Sequence, residues 1–255
     1  MRVFVLFSGG ASGARYLIEH GDGYQEEYKI VGSLTDHEEA SGLNYLRRRD
    51  VPVEILDRSS FYPGGTPNSN LREKYFEAAC EKIKTYEPQV LVLSGFMQIV
   101  SEPLLRQYEN RIINVHPADL RIKEDGARKY VGDDAIYDAI LSGESEVRST
   151  VHLVTREVDA GPIITISKPF TVQRELADTL IRFSKERLRD YADAVQEWVK
   201  WKGDGPCLDE GLTKLSQGEV KVENGETYFR KGEKWIKGLY DLGKGEVVPI
   251  EDSKP

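Results

Sequence analysis

Asn114 and His116 are the two side chains of this 255-residue chain whose types and spacing point most directly to chemistry. They follow the apolar pair Ile112 and Ile113 and precede Pro117, as expected at the end of a short buried strand. Residues two apart on an extended backbone face the same side. The sequence therefore predicts a site that an amide donor and an imidazole share.

A carboxylate for this site is expected from Asp159, in a loop that follows a later predicted strand. A nearby carboxylate raises the pKa of an imidazole, which can then donate a proton to a developing oxyanion, while an amide adds a second hydrogen bond. This set suits acyl or formyl transfer to an amine that belongs to the substrate. Of the other histidines, His20 and His37 are expected to be solvated, and His152 to be a core or hydrogen-bonded residue.

The elements that position these residues alternate between apolar runs of strand length and helical patterns. We predict strands over residues 2–7, 28–34, 51–56, 89–93, 111–115, 150–154 and 163–166, and helices over 14–19, 39–49, 71–86, 103–108, 133–143 and 174–201. The alternation predicts an α/β fold with a doubly wound, mostly parallel, Rossmann-like sheet, which binds ligands at the carboxyl ends of its strands.

The C-terminal part of the chain differs in composition from the rest. A change at residues 202–206 divides the sequence into a predicted catalytic domain, 1–201, and a C-terminal extension, 202–255. Within the extension, Asn224-Gly225 separates two alternating segments, which predicts a small β-hairpin.

Two loops at the same predicted sheet edge have the composition of ligand-binding loops. Residues 8–13, Ser-Gly-Gly-Ala-Ser-Gly, join the first strand to a helix, where backbone N–H groups favour a phosphate or carboxylate. A tight turn without a ligand is the alternative. The second loop is expected to expose Phe96, Met97 and Ile99, and an exposed apolar loop of this kind packs on a flat ligand or a neighbouring domain.

Composition excludes several classes of function. A formal net charge of -8 and an isoelectric point near 5.2 argue against nucleic-acid binding. The two cysteines, Cys80 and Cys207, form no Cys-x-x-Cys pair, so neither a metal site nor a disulfide is predicted. No apolar run approaches the roughly 20 residues of a membrane span. The first run, residues 3–7, is too short for a secretory signal, and a cytoplasmic protein is expected.

Several short motifs, in this order, resemble the folate-dependent formyltransferase family. They are Asn114-Val115-His116-Pro117, Ser149-Thr150-Val151-His152-Leu153-Val154 and Val158-Asp159-Ala160-Gly161-Pro162-Ile163, with Val5-Leu6-Phe7-Ser8-Gly9 and Leu93-Ser94-Gly95-Phe96-Met97 upstream. The resemblance covers residues 1 to 200 and extends to the hairpin tail.

The resemblance implies transfer of the formyl group of 10-formyltetrahydrofolate to the primary amine of a phosphorylated small molecule, with glycinamide ribonucleotide of purine synthesis as the expected acceptor. It implies that Asn114, His116 and Asp159 are catalytic. It further implies a substrate phosphate at Gly10, Ala11, Ser12 and Gly13, a substrate contact at Glu186, and folate contacts at Phe96, Met97, Val158 and Ala160. The expected partners are these two small molecules, with the protein as a monomer or homodimer.

The sequence departs from the family pattern directly after Pro117. Ala118-Asp119-Leu120-Arg121 replaces the usual Ser-Leu-Leu-Pro, and extra residues precede Tyr130. These changes fall on the acceptor side, so a sugar-nucleotide N-formyltransferase and a non-catalytic folate- or nucleotide-binding module remain alternatives. An ATP pyrophosphatase would need an acidic residue where Ser12 stands, and a methionyl-tRNA formyltransferase would need a larger, basic C-terminal domain.

Overall fold

A computed structural model describes residues 1–62 and 68–250 of the chain. The chain divides into two compact units. Unit 1 comprises Met1–Asn114 with Leu153–Glu157, and unit 2 comprises Val115–His152 with Val158–Pro255, of which residues 251–255 lie outside the described part.

Unit 1 is built around a parallel sheet. Its elements are β1 (Arg2–Phe7), α1 (Ser12–His20), β2 (Lys29–Thr35), α2 (Leu43–Arg47), β3 (Val53–Ile55), a 3₁₀ turn (Arg58–Ser60), α3 (Ser69–Lys84), β4 (Val90–Leu93), α4 (Glu102–Gln107) and β5 (Ile112–His116), which runs on into unit 2. Parallel pairing gives the strand order β3-β2-β1-β4-β5. This is the doubly wound order, in which the direction of winding reverses between β1 and β4, and the predicted α/β class is confirmed.

The core of unit 1 explains why these apolar runs become strands. Phe4 and Leu6 of β1 are fully buried against Tyr75 and Phe76 of α3. A strand covered in this way must be apolar along its length, and all four residues of β4 are buried. The packed sheet provides a rigid support for the loops at the carboxyl ends of β1 and β4.

Unit 2 contains several small sheets and the C-terminal helices. Its elements are β6 (Lys123–Glu124), β7 (Ala127–Arg128), α5 (Ala135–Leu141), β8 (Glu146–Val147), β9 (Thr150–Leu153), β10 (Ile163–Ile166), β11 (Phe170–Thr171), α6 (Arg174–Phe183), α7 (Lys185–Val199), a π-helical segment (Lys200–Asp204), α8 (Gly205–Ser216), β12 (Val220–Glu223), β13 (Glu226–Lys231), β14 (Lys234–Lys237), β15 (Leu239–Asp241) and β16 (Glu246–Val248). β10 pairs antiparallel with β9 and parallel with β15, while β12, β13 and β14 form an antiparallel meander.

The single helix predicted over residues 174–201 is wrong. Ser184 has extended backbone angles, φ -162° and ψ 100°, and separates α6 from α7. Its side chain accepts a hydrogen bond from Arg187 N at 3.3 Å, which makes Ser184 the N-cap of α7. A serine hydroxyl competes with the helical backbone for its N–H groups, so a helix begins there although the apolar periodicity continues.

The predicted C-terminal β-hairpin is confirmed between β12 and β13. Asn224 and Gly225 have φ values of 53° and 75°, as a type I′ turn requires. The proposed domain division after residue 201 stays a prediction; Lys202 lies in the π-helical segment that leads directly into α8.

Asp204 is a buried carboxyl group with an expected effect on stability. Burial raises the pKa of Asp204 from 3.8 to about 6, and the nearby Ser149 hydroxyl and Lys200 ammonium offset this only in part. The folded state therefore retains the proton at a pH where the unfolded state has lost it. The stability from burying the neutral acid is present below about pH 4 and is lost as pH rises through about 6.

Asp204→Asn is expected to stabilise the protein at pH 7.5 because an amide carries no charge to bury. At about 1.4 kcal/mol per pKa unit, the rise from 3.8 to about 6 sets an upper limit of about 3 kcal/mol. Urea unfolding at pH 4.5 and pH 7.5 measures the gain, which should be larger at the higher pH. An equal gain at both values would contradict ionisation of Asp204 as its source.

Within residues 1–62 and 68–250, no helix is long and apolar enough to cross a bilayer. The same residues contain no group of three or more histidine, cysteine, aspartate or glutamate side chains arranged to hold a metal ion.

Candidate active site

Asp159 lies between two imidazoles in unit 2. Its Oδ2 is 3.4 Å from Nδ1 of His116, and its Oδ1 is 3.4 Å from Nε2 of His152. The side chains of His116, Asp159 and His152 are only 5%, 8% and 2% exposed. The structure thus joins two residues that the sequence predicted as partners, and it adds His152 as a third member.

Strand ends and one unusual loop residue place these groups. His116 ends β5, and His152 lies in β9. Asp159, in the loop between β9 and β10, has φ +52°, a left-handed conformation that aspartate tolerates better than most residues. Gly132 N donates a hydrogen bond of 2.9 Å to Oδ2 of Asp159. The carboxylate is therefore fixed from three directions.

Asp159 is ionised at neutral pH. Burial raises the pKa of Asp159. The hydrogen bond from His152, the charge of His116 and the backbone N–H of Gly132 together lower this pKa by more than burial raises it. The resulting pKa lies below its usual range. Asp159 is consequently a permanent negative charge beside two imidazoles.

The Tyr130 carbonyl determines which ring nitrogen of His116 carries the fixed hydrogen. Its Nε2 is 2.8 Å from the backbone oxygen of Tyr130, and a carbonyl oxygen only accepts, so Nε2 carries a hydrogen. Nδ1, which faces Asp159, is then the atom that gains or loses a proton. Burial lowers the pKa of His116, and the charge of Asp159 opposes this effect without overcoming it. The raised pKa expected from the sequence is wrong, because burial outweighs the carboxylate.

Asn114 lies in the part of β5 that belongs to unit 1. It is half-buried, and Leu93 of β4 is its partner across the parallel pairing. Its role as a hydrogen-bond donor in the reaction stays a prediction.

The glycine-rich turn leads from β1 into α1, as predicted, but the helix begins two residues before the predicted Ala14. Ala11 adopts φ 50° before the helix begins at Ser12. Gly13 N and Ala14 N donate to Oγ of Ser94, at 3.0 and 3.3 Å. The Gly13 N–H therefore already has a protein partner, while Gly10 is exposed and Ser12 is half-buried. Phosphate binding by this turn stays a prediction. No motif in the sequence indicates that Ser94 binds the backbone of this turn.

The apolar loop after β4 divides into a buried and an exposed part. Phe96 is only 9% exposed and lies in the core of unit 1, with its ring centroid 6.3 Å from that of Phe76. The expectation that this loop exposes Phe96 is wrong. Met97 is 56% exposed, and its N–H donates to Oγ of Ser8 at 2.9 Å. The loop is thus joined to the glycine-rich turn, with its apolar tip accessible.

Two half-buried side-chain hydrogen bonds also hold this loop. Gln98 Nε2 donates to Oδ2 of Asp36, at 2.9 Å, and the Tyr62 hydroxyl donates to the Gln98 side-chain oxygen. Asp36 follows β2 and is 1% exposed. These bonds fix the loop that presents Met97.

The remaining predicted ligand contacts lie in unit 2. Val158 is 50% exposed, Ala160 is exposed, and Glu186 is exposed in the first turn of α7. A carboxylate at this end of a helix also interacts favourably with the helix dipole, which explains Glu186 without a ligand. All three assignments stay predictions.

Comparison with known proteins agrees with the predicted resemblance. The formyl transferase family model matches residues 1–191. Phosphoribosylglycinamide formyltransferase of Escherichia coli (strain K12) is 30% identical over 168 residues, which are 66% of this chain and 72% of that protein.

Solved structures share the fold. Glycinamide ribonucleotide transformylase 1 from Symbiobacterium toebii is 23% identical, with a TM-score of 0.70 over 91% of this chain and 94% of that chain. A formyltetrahydrofolate deformylase from Pseudomonas syringae pv. tomato is 22% identical, with a TM-score of 0.66 over 90% of this chain and 66% of that chain. The family match spans most of the sequence and contains His116, His152 and Asp159, and the chain therefore belongs to the formyl transferase family.

Proposed function

We propose that this protein transfers the formyl group of 10-formyltetrahydrofolate to the primary amine of glycinamide ribonucleotide, a step of purine biosynthesis. The observation that carries the proposal is the buried carboxylate of Asp159 between His116 and His152. The relative from Escherichia coli, named phosphoribosylglycinamide formyltransferase, supports this choice of acceptor.

The proton-exchanging atom of His116 matches the needs of formyl transfer. The amine nitrogen forms a bond to the formyl carbon, the bond from that carbon to the folate nitrogen breaks, and one proton passes from the amine to the leaving nitrogen. During attack, negative charge develops on the formyl oxygen. Protonation of His116 at Nδ1 gives an imidazolium that Asp159 holds, and the positive charge of this imidazolium stabilises the charge on the formyl oxygen. Asn114 is the proposed second donor.

The raised pKa values of the two cysteine thiols are consistent with direct attack by the substrate amine. Burial raises the pKa of Cys80 to about 11 and that of Cys207 to about 12. Neither residue supplies a thiolate at neutral pH, so neither is suited to carry the formyl group covalently. The two-substrate reaction needs no such carrier.

The proposed acceptor site uses backbone groups rather than cations. The phosphate would lie at Gly10, Ala11, Ser12 and Gly13, where the N-terminus of α1 favours an anion. Ser94 holds the first turn of that helix in place. Glu186 is the proposed contact to another part of the acceptor.

The proposed folate contacts are exposed apolar groups on two loops. Met97 is exposed in unit 1, Val158 and Ala160 are exposed in unit 2, and the Phe96 ring lies in the core of unit 1. We further propose that the protein works in the cytoplasm as a monomer or homodimer.

An acceptor screen with 10-formyltetrahydrofolate tests the proposal, with folate absorbance as the readout. Glycinamide ribonucleotide, an amino-sugar nucleotide and buffer without acceptor form the three arms. Turnover only with glycinamide ribonucleotide is the expected result. Turnover only with the sugar nucleotide would overturn the acceptor, and acceptor-independent release of formate would indicate a deformylase. Folate binding without turnover in any arm would overturn the enzyme assignment.

A further inference from the structure

Residues 118–130, which depart from the family pattern, form a short hairpin that presents Arg128. β6 and β7 pair antiparallel, and Asp125 and Gly126 between them have φ values of 51° and 83°. Lys129 N donates to the backbone oxygen of Ile122, at 3.0 Å, which closes the hairpin at its base. Arg128 therefore lies on the second strand of the hairpin, next to the hydrogen bond that closes it.

The Arg128 guanidinium contacts the loop that carries Asp159. One terminal nitrogen donates to the backbone oxygen of Asp159, and the other donates to that of Gly161 at 2.8 Å. A guanidinium presents several N–H groups in one plane and can bridge two carbonyl oxygens in this way, whereas the ammonium of lysine is a single point. Arg128 thus fixes two peptide groups that flank Ala160.

The same stretch of chain also holds the Asp159 side chain. Gly132, four residues beyond Arg128, donates its N–H to Oδ2 at 2.9 Å. Tyr130, between them, supplies the backbone oxygen that lies 2.8 Å from Nε2 of His116. Arg128 therefore positions the backbone of Asp159, and Tyr130 positions the imidazole of His116. Gly132 positions the carboxylate of Asp159.

We propose that Arg128 is a positioning residue for formyl transfer: it holds the left-handed backbone of Asp159 so that the carboxylate reaches both His116 and His152. This role rests on the proposed function, because it acts through the group that supports proton exchange at His116. Residues 118–130, which depart from the family pattern, supply this arginine. The proposed role of this segment is therefore to position Asp159.

Arg128→Lys tests the proposal because it keeps the positive charge and removes the bidentate hydrogen bonding to Asp159 O and Gly161 O. We expect kcat to fall about tenfold, with the KM values of both substrates within twofold. In the free enzyme, carboxyl-carbon NMR should show the Asp159 titration moving up toward its ordinary pKa of 3.8, because donors that lower the pKa are less well placed. The titration needs no substrate, so it decides the positioning role even if the acceptor is wrong.

Arg148→Lys is the matched control. Arg148 also contacts a backbone oxygen and a carboxylate in unit 2, Ser167 O at 3.1 Å and Asp241 Oδ2 at 3.3 Å. This variant should lose thermal stability to a similar degree while its kcat and the Asp159 titration stay as in the wild type. If Arg128→Lys fails to fold, Arg128→Gln serves in its place. An unchanged Asp159 titration in the folded Arg128 variant, or an equal loss of kcat in the control, would overturn the proposal.

Discussion

Asp159→Asn is expected to lower kcat by about 10²-fold or more, with the KM for folate within about twofold. The amide removes the negative charge that stabilises a protonated His116, and Nδ1 is the only ring atom left to exchange a proton, since Nε2 is bound to the Tyr130 carbonyl. A loss of this size is typical when one acid-base or oxyanion-stabilising group is removed. Steady-state kinetics with the acceptor found in the screen, together with folate titration by fluorescence, measures both quantities.

His116→Ala is expected to have an effect of the same size, and the double variant should cost little more than either single one. Groups that act as a unit lose their function together, so their free-energy costs do not add. His20→Ala is the control, because that imidazole is 58% exposed at the surface. Turnover near the wild-type rate in Asp159→Asn, or fully additive losses in the double variant, would contradict the proposed proton exchange.

The parts of the fold that were predictable are those set by local pattern. Buried parallel strands read as continuous apolar runs, and β1 and β4 were predicted to within a residue at each end. The Asn224-Gly225 turn was equally clear, because few residues adopt its backbone angles. The break at Ser184 was missed since apolar periodicity continues across it, and a single hydroxyl decides where α7 begins.

The candidate site was predictable only as far as residue types allow. His116 and Asp159 were paired from their chemistry, but the balance between burial and charge that lowers the pKa of His116 depends on how deeply the ring is enclosed. His152 was assigned to the core or to a hydrogen bond, and its contact with Asp159 brings together residues of a strand and a later loop. Arg128 lies in the stretch after Pro117 that departs from the family pattern, so no motif indicates it.

Gly42→Ala is expected to raise the KM for the amine acceptor about tenfold while kcat at saturation and the KM for folate change less than threefold. Gly42 has φ -73°, so alanine fits its backbone, and the obstacle is space. An added Cβ would lie 2.9 Å from Cβ of Ala11 and from the carbonyl carbon and oxygen of Gly10. Backbone atoms at that distance must move, and a tenfold change corresponds to about 1.4 kcal/mol of lost binding.

The effect should be selective because Gly42 contacts the proposed phosphate turn and its own N–H donates to Gly9 O, at 3.0 Å. Gly32→Ala is the control for destabilisation alone. Gly32 lies in β2, and a Cβ added to it would be 2.7 to 2.8 Å from the rings of Tyr86 and Phe4. We expect Gly32→Ala to lower the melting temperature without changing the KM for the acceptor. If Gly42→Ala binds the acceptor as the wild type does, or if both variants raise its KM equally, the phosphate does not lie at the turn before α1.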